Sequence, residues 1–222
     1  MINTEKRSGR RLRIVVTAGP TREYFDSVRF LSNPSSGKMG YAIAAAAAEA
    51  GYAVTLVSGP VELRPPSGVR TISVISAREM ADAAKQAFRA ADAAILTAAV
   101  CDYRPKRRAV RKIAKSNRPK RLELVPTEDI AASLGRIKGK RVTIAFAMED
   151  HNGRSHAERK MRRKNCDAIV LNGRENIGTD RARVEYLVSG GVWRRWPIVS
   201  KKGLARRLVG ELAGIMGDKE QS

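Results

Sequence analysis

Short apolar runs alternate with longer amphipathic stretches along most of the chain. Residues 13–17, Arg-Ile-Val-Val-Thr, predict a first buried strand, and the alanine-rich stretch 41–50 predicts a first helix. Residues 53–58 form the next apolar run, closed by Gly59-Pro60, with a loop at Pro65-Pro66-Ser67-Gly68. A short third strand is expected over 69–74, and Ser76 is placed to cap a helix over 77–90. Residues 93–97 give a fourth apolar strand. Beyond it come a helix near 127–134, a strand over 142–146, a helix over about 155–164 and a strand over 168–171.

Such alternation predicts an α/β fold: a Rossmann-like, mostly parallel sheet with helices on both faces. The last third differs. Residues 184–188 and 192–196 flank Ser189-Gly190-Gly191, a hairpin signature, so an antiparallel C-terminal hairpin edge is expected. An amphipathic helix over 201–216 closes the pattern. The organisation is then a basic N-terminal tail over 1–12, a single domain over 13–217 and a C-terminal tail over 218–222. Within the domain, residues 104–121 carry ten lysines and arginines and little apolar content, the composition of a mobile solvated loop.

Composition narrows the class. The 222 residues are 43% hydrophobic, enough for a sizeable core. No apolar run approaches the roughly 18 residues that would cross a bilayer, so no membrane partner is expected. The start carries Lys6, Arg7, Arg10 and Arg11 without the apolar stretch of a signal peptide. Two cysteines, Cys101 and Cys166, do not make a disulfide framework, and cytoplasm is the expected compartment.

The formal charge of +21 raises the alternative of a basic nucleic-acid-binding α/β module. Aromatic residues are only 5% of the chain and none interleave with arginines as a base-stacking platform, which weighs against nucleic acid. The same field would concentrate small phosphorylated substrates.

The segment from Val28 to Gly40, between the first strand and the first helix, is long and polar. Ligands of open α/β sheets sit beyond the carboxyl ends of the strands, where helix N-termini favour anions. Ser35, Ser36 and Gly37 let donors approach a phosphate or carboxylate, and Lys38 adds charge. The spacing is neither a P-loop nor Gly-x-Gly-x-x-Gly, which also counts against an NAD(P)-dependent oxidoreductase. Lys160 and Lys164, four apart, share a helix face. His151 and His156 lack a framework for structural zinc, and no metal-ligating set is expected. Cys101 has no histidine placed by the sequence to activate it.

Thr17-Ala18-Gly19-Pro20-Thr21-Arg22-Glu23, Asp26, Val28-Arg29 and Ser32-Asn33 through Gly40 together resemble the opening of phosphopantothenoylcysteine synthetase, also called phosphopantothenate–cysteine ligase. Later segments resemble the same family in order: Ala98-Ala99-Val100-Cys101-Asp102-Tyr103, Lys112-Ile113-Ala114-Lys115, Glu128-Asp129-Ile130, Ala145-Phe146-Ala147-Met148-Glu149 and Lys160 through Asp167. The match spans roughly 13 to 215. Cys101, Glu128, Lys115, Met148 with Asp150, and Arg181-Ala182-Arg183 depart from the family pattern. The flavin-binding decarboxylase half fused upstream in many bacteria has no counterpart here, which suggests the stand-alone form.

The resemblance implies a nucleotide-binding ligase domain of coenzyme A biosynthesis that joins 4′-phosphopantothenate to cysteine through an acyl-cytidylate. CTP would be the co-substrate, with ATP as the other option, accompanied by Mg²⁺, and the family forms homodimers. Asn33, Lys112 and Arg29 would be catalytic. Ala98, Ala99, Asp102, Lys112, Glu128, Asp129, Ile130, Phe146, Lys160 and Lys164 would bind the nucleotide. Arg29, Asn33, Ser36, Gly37 and Lys38 would hold phosphopantothenate.

Overall fold

A computed structural model describes residues 10–221. In chain order its strands and helices are β1 Arg13–Ala18, β2 Arg22–Tyr24, β3 Phe30–Ser32, α1 Lys38–Glu49, β4 Ala53–Ser58, β5 Val69–Ser73 and α2 Ala77–Arg89. Next come β6 Ala93–Leu96, β7 Tyr103–Pro105, β8 Leu124–Pro126, α3 Ile130–Ile137, β9 Val142–Met148 and α4 Gly153–Arg163. The chain ends with β10 Ala168–Asn172, β11 Arg181–Ala182, β12 Val184–Val188, β13 Arg194–Arg195, β14 Val199–Ser200 and α5 Lys201–Gln221.

Eight strands form one sheet in the order β13-β12-β10-β9-β6-β1-β4-β5. The six from β10 to β5 run parallel, and β12 and β13 add antiparallel to one edge. After β1 the chain moves outward through β4 and β5, then returns to place β6 on the other side of β1. That reversal is a topological switch point, where open sheets leave a crevice beyond the strand ends.

Alternation along the strands sorts the core into two layers. Ile14, Val16, Leu56, Ile95, Ile144 and Val170 face α1 and α5, meeting Ile43, Ala47, Leu204 and Leu208. Val15, Val57, Ala94 and Leu96 face the other way, against Met80, Ala84 and Phe88 of α2 and Ile130 and Leu134 of α3. Ala145, Ala147 and Ile169 continue that face under Ala157 and Met161 of α4. Period-two strands buried on both faces give the near-continuous apolar runs seen in the sequence.

The fold is the Rossmann-like one expected, with four local differences. Helix α1 starts at Lys38, three residues earlier than the alanine run suggests, because its N-cap Gly37 takes a left-handed conformation (φ 73°), open to glycine, that turns the chain directly into the helix. Helix α3 starts at Ile130, since the Asp129 side chain accepts from the Ala132 N–H as its N-cap and the Thr127 N–H is held by the Asp102 carbonyl. Of residues 192–196 only Arg194 and Arg195 form the strand β13 beside β12, with the Trp196 N–H donating to the Val184 carbonyl at 2.9 Å. Helix α5 runs through Gln221, taking in 218–221.

Three small antiparallel pairs lie outside the main sheet, β2 with β3, β7 with β8 and β11 with β14. The first divides the segment 28–40; the second brings the ends of the basic 104–121 stretch together. Of the N-terminal tail, residues 1–9 lie outside the described residues. Leu12 is buried, and Arg10 pairs with Asp92 at 2.6 Å. Among the described residues, no helix is long and apolar enough to cross a membrane.

Candidate active site at the strand switch point

A cavity of about 580 Å³ opens where β1 and β6 end. Its floor is cross-braced. Thr97 donates its hydroxyl to the Thr17 carbonyl at 2.7 Å, the Ala99 N–H donates to the Gly19 carbonyl at 2.9 Å, and Pro20 bridges to Ala99 in parallel register. The Asn33 side-chain amide donates to the Ala99 carbonyl at 3.0 Å. Ala98 and Ala99, being small, leave backbone groups at the cavity wall.

Helix α1 is driven N-terminus first into this crevice. A Cβ on Gly40 would stand 2.5 Å from the Ala18 Cβ and 2.6 Å from the Thr97 hydroxyl, so only glycine permits the approach. No side chain caps the first turn, and Gly37 through Gly40 line the cavity. Unpaired N–H groups and the helix dipole therefore favour an anion there.

The second wall follows β9, from Phe146 to His151. Glu149 ion-pairs with Lys160 at 2.6 Å and lies 3.4 Å from His156 Nδ1. Burial pushes its carboxyl up, but Lys160 and His156 outweigh that and hold it below the usual carboxylate value.

The third wall is the segment after β10. Buried Asn176 organises it, donating to the Asn172 side chain at 2.6 Å and the Arg183 carbonyl at 2.7 Å, and accepting from the Arg183 N–H at 3.2 Å. Lys38 pairs with Asp180 at 2.6 Å and donates to the Gly178 carbonyl at 3.2 Å. Lys201, at the start of α5, donates to the Asn176 carbonyl at 3.1 Å. Its partial burial, with Lys38 nearby, lowers its ammonium from the ordinary value. Lys38, Lys201 and Arg174 thus gather at this end of the cavity, with Asp180 paired to Lys38 and Asp150 paired to Arg174 at 3.4 Å.

Of the residues singled out in the sequence, Asn33, Ser36, Gly37, Lys38, Ala98, Ala99, Asp102 and Phe146 line the cavity together. The others stand outside its lining. Arg29 pairs with Asp26 at 2.8 Å on the β2–β3 turn. Lys112 is exposed on the basic loop. Glu128 meets Lys85 at 3.0 Å, Asp129 meets Lys164 at 3.1 Å, and Ile130, the first residue of α3, is buried in the core against the sheet. Lys160 faces Glu149, which does line the cavity.

Glu149, Arg174, Asn176 and Lys201 were not singled out. Glu149 closes a segment of the resemblance and Lys201 opens the expected last helix, but nothing local marks any of the four as a site residue; the return of β10 and α5 to the switch point brings them together. Cys101 is buried, with its thiol pushed up by burial and its N–H donating to the Thr21 hydroxyl at 2.9 Å. It is packing beneath the site, with no base to activate it. Among the described residues, no group of three or more His, Cys, Asp or Glu is placed to hold a metal ion.

Residues 9–216 match the model of the DNA/pantothenate metabolism flavoprotein C-terminal domain family. The coenzyme A biosynthesis bifunctional protein CoaBC of Bacillus subtilis (strain 168) is 40% identical over 91% of this chain and 51% of its own length. A Cysteine/Cysteine sulfinic acid decarboxylase from an unknown prokaryotic organism is 48% identical over 75% of this chain and 47% of its own. The chain spans about half the length of these curated relatives. The crystal structure of a CoaBC C-terminal domain superposes with a TM-score of 0.82 at 41% identity, covering 93% of this chain and 96% of that one. Cab2 in complex with phosphopantothenate-cysteine shares the fold, with a TM-score of 0.76 at 14% identity, over 95% of this chain and 89% of its own.

Proposed function

The chain belongs to the DNA/pantothenate metabolism flavoprotein C-terminal domain family, and from that premise we propose that it is a phosphopantothenate–cysteine ligase of coenzyme A biosynthesis. The observation that carries this reading is the switch-point cavity, where an uncapped helix N-terminus, the Asn33 amide and the small Ala98–Ala99 wall converge. A site of that kind suits a triphosphate beside a second, carboxylate-bearing substrate.

In the first step the carboxylate of 4′-phosphopantothenate attacks the α-phosphorus of CTP. A carboxyl oxygen–phosphorus bond forms and pyrophosphate leaves, giving the acyl-cytidylate. In the second, the cysteine amine attacks the acyl carbon, loses its proton and displaces CMP, forming the amide. The α1 N–H groups and Lys112 would offset negative charge on the phosphates as it shifts. Asn33 would hold the acyl-nucleotide in register for the amine. Phe146, half-buried at the cavity wall, would pack beside the base, and Asp102 would contact the sugar.

Lys38 and Lys201 would receive the phosphate of phosphopantothenate, displacing the Lys38–Asp180 pair. Mg²⁺ enters as part of the nucleotide substrate, needing few protein ligands of its own. The proposal includes a homodimer, with ATP as the alternative nucleotide. The decarboxylase name belongs to a relative of which this chain matches under half, 47%.

The test is a nucleotide panel with 4′-phosphopantothenate, L-cysteine and Mg²⁺, read by product mass and carbon dioxide release. Phosphopantothenoylcysteine, CMP and pyrophosphate in equal amounts are expected. Release of CDP, or of carbon dioxide without amide formation, would overturn the reading.

A further inference from the structure

Asp26 is fully buried, yet the residues that follow it, Ser27, Val28 and Arg29, are exposed. Its Oδ1 is taken up by its own turn, accepting from the Val28 N–H at 2.8 Å and the Arg29 N–H at 2.7 Å. Its Oδ2 is shared between the Arg29 Nε at 2.9 Å and the backbone N–H of Ile113 at 3.2 Å. The Arg29 guanidinium then donates to the Ile113 carbonyl. Both polar backbone groups of Ile113 are thus gripped by one ion pair, its carboxylate buried and its guanidinium exposed, at the residue after Lys112.

The rest of the 104–121 loop is held more lightly. The Ala109 N–H donates to the Phe25 carbonyl at 2.9 Å, and the Arg108 guanidinium lies 4.9 Å from the Tyr24 ring centre. The loop's composition gives it no core of its own. Burial raises the Asp26 carboxyl, but the N–H donors of Arg29, Val28 and Ile113 and the Arg29 charge outweigh it and hold it at about 2. The acceptor is therefore an anion at working pH, and charge-assisted hydrogen bonds are the strong ones.

We propose that Asp26 is a positioning residue, clamping the Ile113 peptide together with Arg29 so that Lys112 is presented to the cavity from a fixed point on the loop. This rests on the ligase reading for what Lys112 does, and on geometry alone for the clamp. On this account Arg29 acts through the loop and not by contact with phosphopantothenate. The turn is expected to survive Asp26→Asn, which keeps one acceptor oxygen, while an amide NH₂ replaces the oxygen that receives Arg29 and Ile113.

The full chain is used in two measurements. Hydrogen exchange of the Ile113 amide, followed without substrates, should accelerate roughly ten- to hundredfold in Asp26→Asn, the loss expected for a hydrogen bond to a charged group. It should be unchanged in Lys112→Gln. Unchanged Ile113 exchange in Asp26→Asn overturns the clamp, whatever the enzyme's activity. The second measurement is a double-mutant cycle on pyrophosphate release. Asp26→Asn should lower kcat by roughly tenfold or more, and in the Lys112→Gln background it should add little. Fully additive losses would show that Asp26 does not act through Lys112, and would also overturn the proposal. Faster Ile113 exchange in Asp26→Asn, together with a wild-type chain that forms no product, would instead keep the clamp and refute the ligase reading.

Discussion

The Asn33 side-chain amide donates to the Ala99 carbonyl at 3.0 Å, tying the segment before α1 to the end of β6 across the switch point. The buried Cys101 thiol lies 4.0 Å from the same amide nitrogen. Two segments far apart in sequence thus share one hydrogen bond at the wall where the acyl-nucleotide would sit.

Asn33→Asp replaces that donor with an acceptor facing a carbonyl oxygen, and sets a carboxylate beside an anionic intermediate. Activation should continue while capture by cysteine slows. Acyl-cytidylate should therefore accumulate in quenched single turnovers analysed by mass. A variant that turns over at the wild-type rate with no accumulation would remove Asn33 from the reaction.

Lys112→Gln should act earlier. One well-aimed donor on developing charge is worth roughly 10²–10³ in rate. Pyrophosphate release should fall by that factor, and no acyl-cytidylate should build up. Rapid-quench measurement of pyrophosphate separates this from the Asn33 effect, since a slow second step would leave the pyrophosphate burst intact.

The main sheet was legible because buried parallel strands write themselves as apolar runs, as at 53–58 and 93–97, and because Ser76 caps α2 as its position implies. The pairs β2–β3 and β7–β8 were not, since three-residue strands such as Arg22–Tyr24 are too short to set up an alternation. That Ser36, Gly37 and Lys38 lead into an anion-friendly helix N-terminus was legible, but the helix begins three residues before the alanine run that announced it. The wall made by Asn176 and Lys201 was not, because a buried asparagine satisfied by residues four and seven positions away looks like an ordinary loop residue until β10 is placed. Asp26 was visible in the resemblance, but its hold on Ile113 depends on an approach between residues 87 positions apart.

Gly40→Ala should damage the site without touching any ligand-binding side chain. The added methyl would meet the Ala18 Cβ at 2.5 Å and the Thr97 hydroxyl at 2.6 Å, both on rigid strand ends. Helix α1 must then back away from the crevice, at a cost of about 1–3 kcal/mol for an overpacked contact. Its N–H groups move with it, so KM for the nucleotide should rise along with the loss of stability. Urea unfolding and steady-state kinetics check the pair. A destabilised variant with an unchanged KM would mean that the helix N-terminus does not bind the nucleotide.

Asp167 should set part of the acid limit of stability. Its carboxylate accepts from Lys138 Nζ and the Thr143 N–H, each at 2.8 Å, and pairs with Lys219 at 2.7 Å, so it joins the ends of α3 and α5 to the start of β9. Burial raises its carboxyl, but Lys138, Lys219 and the Thr143 N–H prevail and hold it below the ordinary 3.8. A carboxylate depressed on folding binds its proton more weakly in the native state than in the unfolded one. Its contribution is therefore complete above 3.8 and disappears as pH falls through the lower native value. Asp167→Asn leaves the Lys138 ammonium buried without its counter-charge. It should cost about 3 kcal/mol at neutral pH, the low end for breaking a buried pair, because Lys219 can turn to solvent. Urea midpoints followed from pH 7 down to pH 3 should show the variant less stable at neutral pH, with a shallower decline in acid. The decline should not vanish, since Asp26, held at about 2, titrates in the same direction. Parallel curves for the two proteins would mean that Asp167 does not govern the acid limb.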